Sequence, residues 1–144
     1  MSRLLEILSS QNVLYIKLRN YHWNVRGPLF GELHRFFEKL YDEIAGDIDR
    51  VAERIRALDE FTPATLAEFL ENSSIKDEIP GHYPTAKEMV ANLVDDYETL
   101  INQIRASVVD IQTKYADEVT ANMLIELAEK YEKDRWMLKS YIER

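Results

Sequence analysis

An all-α fold, four long helices packed as a bundle, is predicted by three observations. Apolar residues recur at helical spacing in four stretches, no alternating strand pattern competes with them, and capping signals stand at the stretch ends. Leu4, Leu8, Tyr15, Leu18 and Val25 mark the first stretch; Leu33, Phe37, Leu40, Ile44, Ile48, Val51, Ile55 and Leu58 mark the second. Val90, Leu93, Tyr97, Leu100, Ile104, Val108 and Ile111 mark the third, and Ala121, Leu124, Ala128, Tyr131 and Leu138 the fourth. The helices are therefore expected near residues 2–25, 29–58, 85–114 and 118–142. With 144 residues, the chain is read as one domain over 1–144. A chain of this size can bury about 70% of the surface its unfolded form exposes.

Each element has a local reason to begin or end. Gly27 suits the left-handed cap after the first helix. Thr85-Ala86-Lys87-Glu88 is a capping box opening the third, and Asp117 can cap the fourth. The second and third helices are separated by about 26 residues, longer than an ordinary connection. Within it, Thr62-Pro63 is expected to start a short extra helix running through Phe69. A second helix of about 30 residues spans roughly 45 Å. A connection of this length can run back along it and leave the third helix parallel to the second.

Composition narrows the function classes. The net charge of −8 opposes binding to polyphosphate surfaces, because affinity for nucleic acid comes mostly from cationic groups that displace counterions. Cysteine is absent, which fits a reducing compartment. Glu6 stands where a signal peptide would carry its apolar run, and no stretch approaches the roughly 20 apolar residues of a membrane span. The expectation is a soluble cytoplasmic protein with no membrane partner.

The densest chemistry lies in His22-Trp23-Asn24-Val25-Arg26-Gly27 and the following Leu33, His34 and Glu38, which hold two of only three histidines. Imidazole together with carboxylate is a donor mixture that suits divalent iron. With Leu33 set at zero and about 100° per residue, His34, Glu38, Asp49 and Glu53 fall at about 100°, 140°, 160° and 200°, away from the apolar stripe. A metal site inside the bundle would need inward carboxylates, usually with Glu-x-x-His on two helices. That motif is absent, and the third and fourth helices contain no histidine. His34 and Asp49 are separated by roughly 22 Å along the helix axis, too far for one metal. If these groups serve one site, Asp49 and Glu53 must come from a second chain across a twofold axis, which creates two equivalent sites per dimer.

Each piece also has an ordinary reading. Asp49 and Glu53 can be a solvated face, with Glu53 paired to Arg50, Arg54 or Arg56. His22 can be a packed histidine, and His34 with Glu38 a routine i,i+4 helix pair. The combination favours the metal.

At this point the sequence resembles the Dps family, the miniferritins named as DNA-binding proteins from starved cells. The family signature is met by His22, Trp23, Val25, Gly27, Leu33, His34 and Glu38, and a following Asp-x-x-x-Glu by Asp49 and Glu53. Further matches run through Thr65-Leu66-Ala67-Glu68-Phe69-Leu70 and Trp136-Met137-Leu138, so the likeness covers essentially the whole chain. It implies a ferritin-like four-helix bundle whose long crossover between helices 2 and 3 carries a short extra helix. It further implies a hollow homo-dodecamer, with His22, His34 and Glu38 of one subunit facing Asp49 and Glu53 of its twofold partner.

Members of the family oxidise ferrous iron, in many cases preferring hydrogen peroxide to dioxygen, and store ferric oxyhydroxide in the cavity. The implied activity is thus a ferroxidase protecting against Fenton damage, with iron as Fe(II) and Fe(III), up to two per site, and zinc able to substitute. Trp23, next to His22, is assigned first to packing at the interface, with an electron relay as its second candidate role; Tyr41 and Trp136 are assigned to structure. Glu38 stands where relatives commonly have aspartate, and Asn122 where they often have aspartate beside a threefold pore. Asp117, Glu118 and Glu126 are the remaining candidates for a negative pore lining. DNA binding in the family is usually attributed to Lys/Arg-rich tails, which this chain lacks, so DNA condensation is not expected. The alternatives are a DNA-coating structural protein and a redox-silent, zinc-filled oligomer.

Overall fold

The computed structural model describes residues 2–143. Among them run five helices: α1 (Ser2–Asn24), α2 (Phe30–Ala57), α3 (Leu66–Asn72), α4 (Ala86–Lys114) and α5 (Glu118–Lys139). The four long ones match the predicted positions to within a few residues. The short helix starts later than expected. Thr65, not Thr62-Pro63, opens it, because the Thr65 hydroxyl accepts the Glu68 backbone N–H and so satisfies a donor that the first turn leaves free. α5 stops at Lys139 rather than 142, with residues 140–142 finishing as turns.

The predicted caps form. Thr85 and Glu88 make the reciprocal capping box of α4, and the Asp117 carboxylate accepts the Thr120 N–H at 3.1 Å to open α5. Gly27 adopts φ +107°, open to glycine and strained for other residues. It does so in the turn three residues beyond Asn24 rather than at the helix end itself, since Val25 still donates to the Tyr21 carbonyl.

Side-chain pairs fix how the helices run. Tyr15 meets Tyr41 and His22 meets His34, so α1 and α2 are antiparallel. Arg3 pairs with Asp110, Lys17 with Asp96, and Tyr21 with Asn92, so α1 and α4 are antiparallel as well. α2 and α4 are therefore parallel. The crossover makes that possible by running alongside α1: Ser74 N–H donates to Ser10 Oγ, Lys17 to the Lys76 carbonyl, and Tyr21 to Glu78. This is the arrangement the connection length predicts.

The core is continuous and draws on every long helix. From α2 it takes Leu33, Phe37, Leu40, Ile44, Val51 and Ile55, and from α4 Val90, Leu93, Tyr97, Leu100, Ile104 and Ile111. One polar network crosses it. The Tyr131 hydroxyl donates to Asp47 Oδ2 and accepts from Gln11 Nε2, each at 2.9 Å, while Lys130 Nζ reaches both Asp47 oxygens. Removing the hydroxyl alone would strand buried partners, which costs more than the bonds contribute net. Tyr131→Phe is expected to lower stability by about 1–3 kcal/mol. A urea midpoint equal to wild type would contradict the role given to this network.

Candidate metal centre

Where α1 ends and α2 begins, two histidines hold one another. His22 Nδ1 lies 2.6 Å from the carbonyl oxygen of His34, and His34 Nδ1 lies 2.7 Å from the carbonyl oxygen of His22. A carbonyl can only accept, so each Nδ1 carries its proton and donates. In the neutral ring this leaves the lone pair on Nε2, the state required of a metal ligand. Orientation by a backbone carbonyl is the usual support for a metal-binding imidazole. Here each residue supplies that support to the other.

The rings are stacked, with centroids 3.9 Å apart and planes 15° from parallel. Phe30 stacks on the outer side of this pair against His34 at 4.9 Å, and Tyr41 meets His22 edge-on at 5.3 Å. Tyr41, expected from the sequence to be structural, and Phe30, given no role from the sequence, both border the histidines. Both had a signal: Phe30 precedes His34 by four residues, and Tyr41 follows it by seven, about 20° away on the same helical stripe. Burial, with the negative charges of Glu38 and Asp42 next, pushes the Tyr41 phenol up. Glu38 thus stands close to the same aromatic cluster.

His22 is 7% exposed, and His34 half-buried, whereas Glu38, Asp49 and Glu53 are exposed. The outward direction read from the helical wheel is therefore correct. The ordinary reading of Glu53 is not what the structure contains. Arg50 pairs with Glu126 at 2.7 Å, Arg54 with Thr120 Oγ1 at 2.9 Å and with Asp117, and Arg56 donates to the Glu60 carbonyl. All three arginines that could have neutralised Glu53 are engaged elsewhere.

Within one chain the set does not close. No group of three or more His, Asp or Glu among the described residues is arranged to hold a metal ion. His22 and His34 are brought together; Asp49 and Glu53 remain at the far end of α2. Trp23 is 64% exposed beside them, with the Arg19 guanidinium 5.0 Å from its ring centroid. Trp136, expected to be structural, is also 64% exposed, on α5.

The pore candidates fare differently. Asp117 is held low by its hydrogen bonds from Thr120 and faces Arg54, and Glu126 is paired with Arg50, so neither is a free negative charge. Glu118 is exposed in the first turn of α5. Arg50, Arg54, Asn122 and Glu126 line one surface groove with Glu53. No described helix is long and apolar enough to cross a membrane.

Comparison with known proteins gives consistent answers. A family model described as Ferritin-like domain matches residues 1–144. The DNA protection during starvation protein of Brevibacillus brevis is 43% identical over 131 residues, 91% of this chain and 86% of that protein. The crystal structure of Dps from Staphylococcus aureus superposes with a TM-score of 0.92 at 35% identity, covering 99% of this chain and 93% of that one. Dps from Vibrio cholerae, described as a member of a superfamily of ferritin-like diiron-carboxylate proteins, gives 0.91 at 29% identity, covering 98% and 87%. The all-α bundle agrees with these matches, and the chain belongs to the Dps family of ferritin-like proteins.

Proposed function

We propose that this protein is a ferroxidase that oxidises ferrous iron, with hydrogen peroxide as the preferred oxidant, and keeps the ferric product inside a hollow dodecamer. The observation that carries the reading is the histidine clasp: two imidazoles, each with its proton fixed on Nδ1, beside an exposed carboxylate, Glu38, that has no ion pair among the described residues. The description of the Vibrio relative as a diiron-carboxylate protein supports the metal class.

His22, His34 and Glu38 form one half of the site, and Asp49 and Glu53 of a twofold-related copy form the other. Helix geometry requires the second copy, because roughly 22 Å of rigid α2 separates the halves within one chain. An isologous contact supplies both halves twice. The imidazoles bind the ferrous substrate, and the carboxylates stabilise the more highly charged ferric product as hard oxygen donors. A carboxylate head with two oxygens can bridge two irons.

The overall chemistry balances. Two ferrous ions give one electron each to one peroxide, the O–O bond breaks, and with two waters the products are two ferric oxyhydroxide units and four protons. Zinc, which has the same taste for imidazole and carboxylate but no accessible redox change, competes for the site. Trp23, beside His22 and against Arg19, packs in the contact between subunits, and its second role is to give up an electron when only one iron is bound. The Brevibacillus relative is named for DNA protection; for this chain the protection is removal of iron and peroxide together. A net charge of −8 leaves little attraction to the duplex, and gel shifts at low and moderate salt are expected to be negative.

His34→Ala keeps the residue 34 carbonyl that orients His22, so the fold and assembly are expected to survive. Ferrous oxidation by peroxide should slow at least roughly tenfold, the scale seen when a ligand loses its support or its donor. Unchanged rates in stopped-flow absorbance would remove this pocket from the reaction. Sharing between chains has its own test: His34→Ala and Asp49→Asn subunits, each slow alone, are refolded together. Mixed oligomers should regain part of the activity, because some interfaces then join two intact halves. No recovery in oligomers shown by mass to be mixed would exclude a site built from two subunits.

A further inference from the structure

The face between α2 and α5 is a ladder of charged rungs. Arg54 meets Asp117, Arg50 meets Glu126, and Lys130 meets Asp47, each an attraction between opposite charges. In the same antiparallel register the next rung, one helical turn along from Asp47 on α2 and from Lys130 on α5, sets the carboxyl of Glu43 against that of Asp134. Like charges meet there.

The surroundings do not neutralise the rung. Asp134 is 5% exposed, and Glu43 Oε2 is buried with no hydrogen-bond donor. On α5, Lys130 already serves both Asp47 oxygens, and on α2 Lys39 stands 4.0 Å from Glu43 Oε1, the opposite oxygen. From α4 the buried Tyr97 lies near both carboxyls, and Asp47 and Asp96 bring further negative charge to Tyr97. Among the described residues no third ligand completes a metal site. Two facing carboxylates with a buried, donorless oxygen are satisfied by one proton between them.

We propose that Glu43 and Asp134 share a single proton, and that this proton is a pH-sensitive latch joining the α1/α2 hairpin to the α4/α5 hairpin. The pair stands midway along α2, between His34 and Glu38 on one side and Asp49 and Glu53 on the other. The inference is independent of the ferroxidase reading. Burial, then the charge and hydrogen bond of Glu43, push the Asp134 carboxyl up from 3.8 to about 7. The shift belongs to the pair as a coupled unit.

The sign follows from linkage. Folding raises the proton affinity, so the latch contributes fully at low pH, below the unfolded value, and is lost as pH rises through the folded value. Urea unfolding of the assembled wild type is compared with Asp134→Asn from about pH 5 to about pH 8. The amide donates to Glu43 at every pH. The unfolding constant of wild type relative to the variant should therefore rise about tenfold per pH unit across the window and level off above it. A ratio independent of pH would overturn the proposal.

Glu43→Gln should flatten the dependence in the same way and serves if Asp134→Asn does not fold. Infrared difference spectra of the unaltered protein give a reading without any variant. A protonated-carboxyl C=O band should persist at about pH 6, where ordinary carboxyls are ionised, and disappear by about pH 8. Its absence at the lower pH would equally refute the latch.

Discussion

A straight helix cannot bring its own ends together, and the arrangement of chemistry in this protein follows from that constraint. α2 carries His34 and Glu38 near its start and Asp49 and Glu53 near its end. Each turn of rise moves the two groups about 5.4 Å further apart. The core-facing stripe fixes α2 against its neighbours, so no rotation of the helix can turn the acids inward without exposing Leu40, Ile44 and Val51. Burial of one face thereby commits the other face to an intermolecular role in the proposed mechanism. The same rigidity that prevents one chain from closing a site would, in the proposed twofold contact, hold the two halves in one fixed geometry.

The charged residues around the bundle divide into those that are paired and those left open. Arg50, Arg54 and Arg56 satisfy Glu126, Thr120 with Asp117, and the Glu60 carbonyl. Glu53, their close neighbour in sequence, is left out. At the other end of α2, the histidines use Nδ1 for each other's backbone and keep Nε2. A metal ligand must be deprotonated and uncommitted, and pairing its competitors elsewhere is a way to keep it so. The pairing also weakens the negative lining first assigned to Asp117 and Glu126, whose charges are largely answered by the same arginines.

Polar groups inside the bundle obey a stricter rule, because an unmet donor or acceptor there costs free energy that solvent cannot return. Gln11, Tyr131, Asp47 and Lys130 meet it by forming a chain of bonds across three helices. Glu43 and Asp134 continue the same face without an intervening cation. Both arrangements add to the apolar packing and the ion pairs, Arg3–Asp110, Lys17–Asp96 and Arg50–Glu126 among them, that join the two hairpins, and they lie beside the helix that carries the candidate ligands. Interior electrostatics and exterior chemistry are thus connected through α2.

The four long helices, their caps and the length of the crossover are legible in the residues alone, because each depends on local periodicity and on side chains that bond to backbone a few positions away. So is the outward direction of His34, Glu38, Asp49 and Glu53, since about 100° per residue is a property of any α-helix. The start of the short helix is not legible locally, because Thr62-Pro63 and Thr65 offer competing signals and only the chain's path chooses between them. The histidine clasp could not be read from sequence: it requires the end of one helix and the start of the next to meet at hydrogen-bonding distance. The partners of Arg50 and Arg54, and the meeting of Glu43 with Asp134, depend on residues about 60 to 90 positions apart. Such pairings are set by the antiparallel register of packed helices, a property of three dimensions that no local rule encodes.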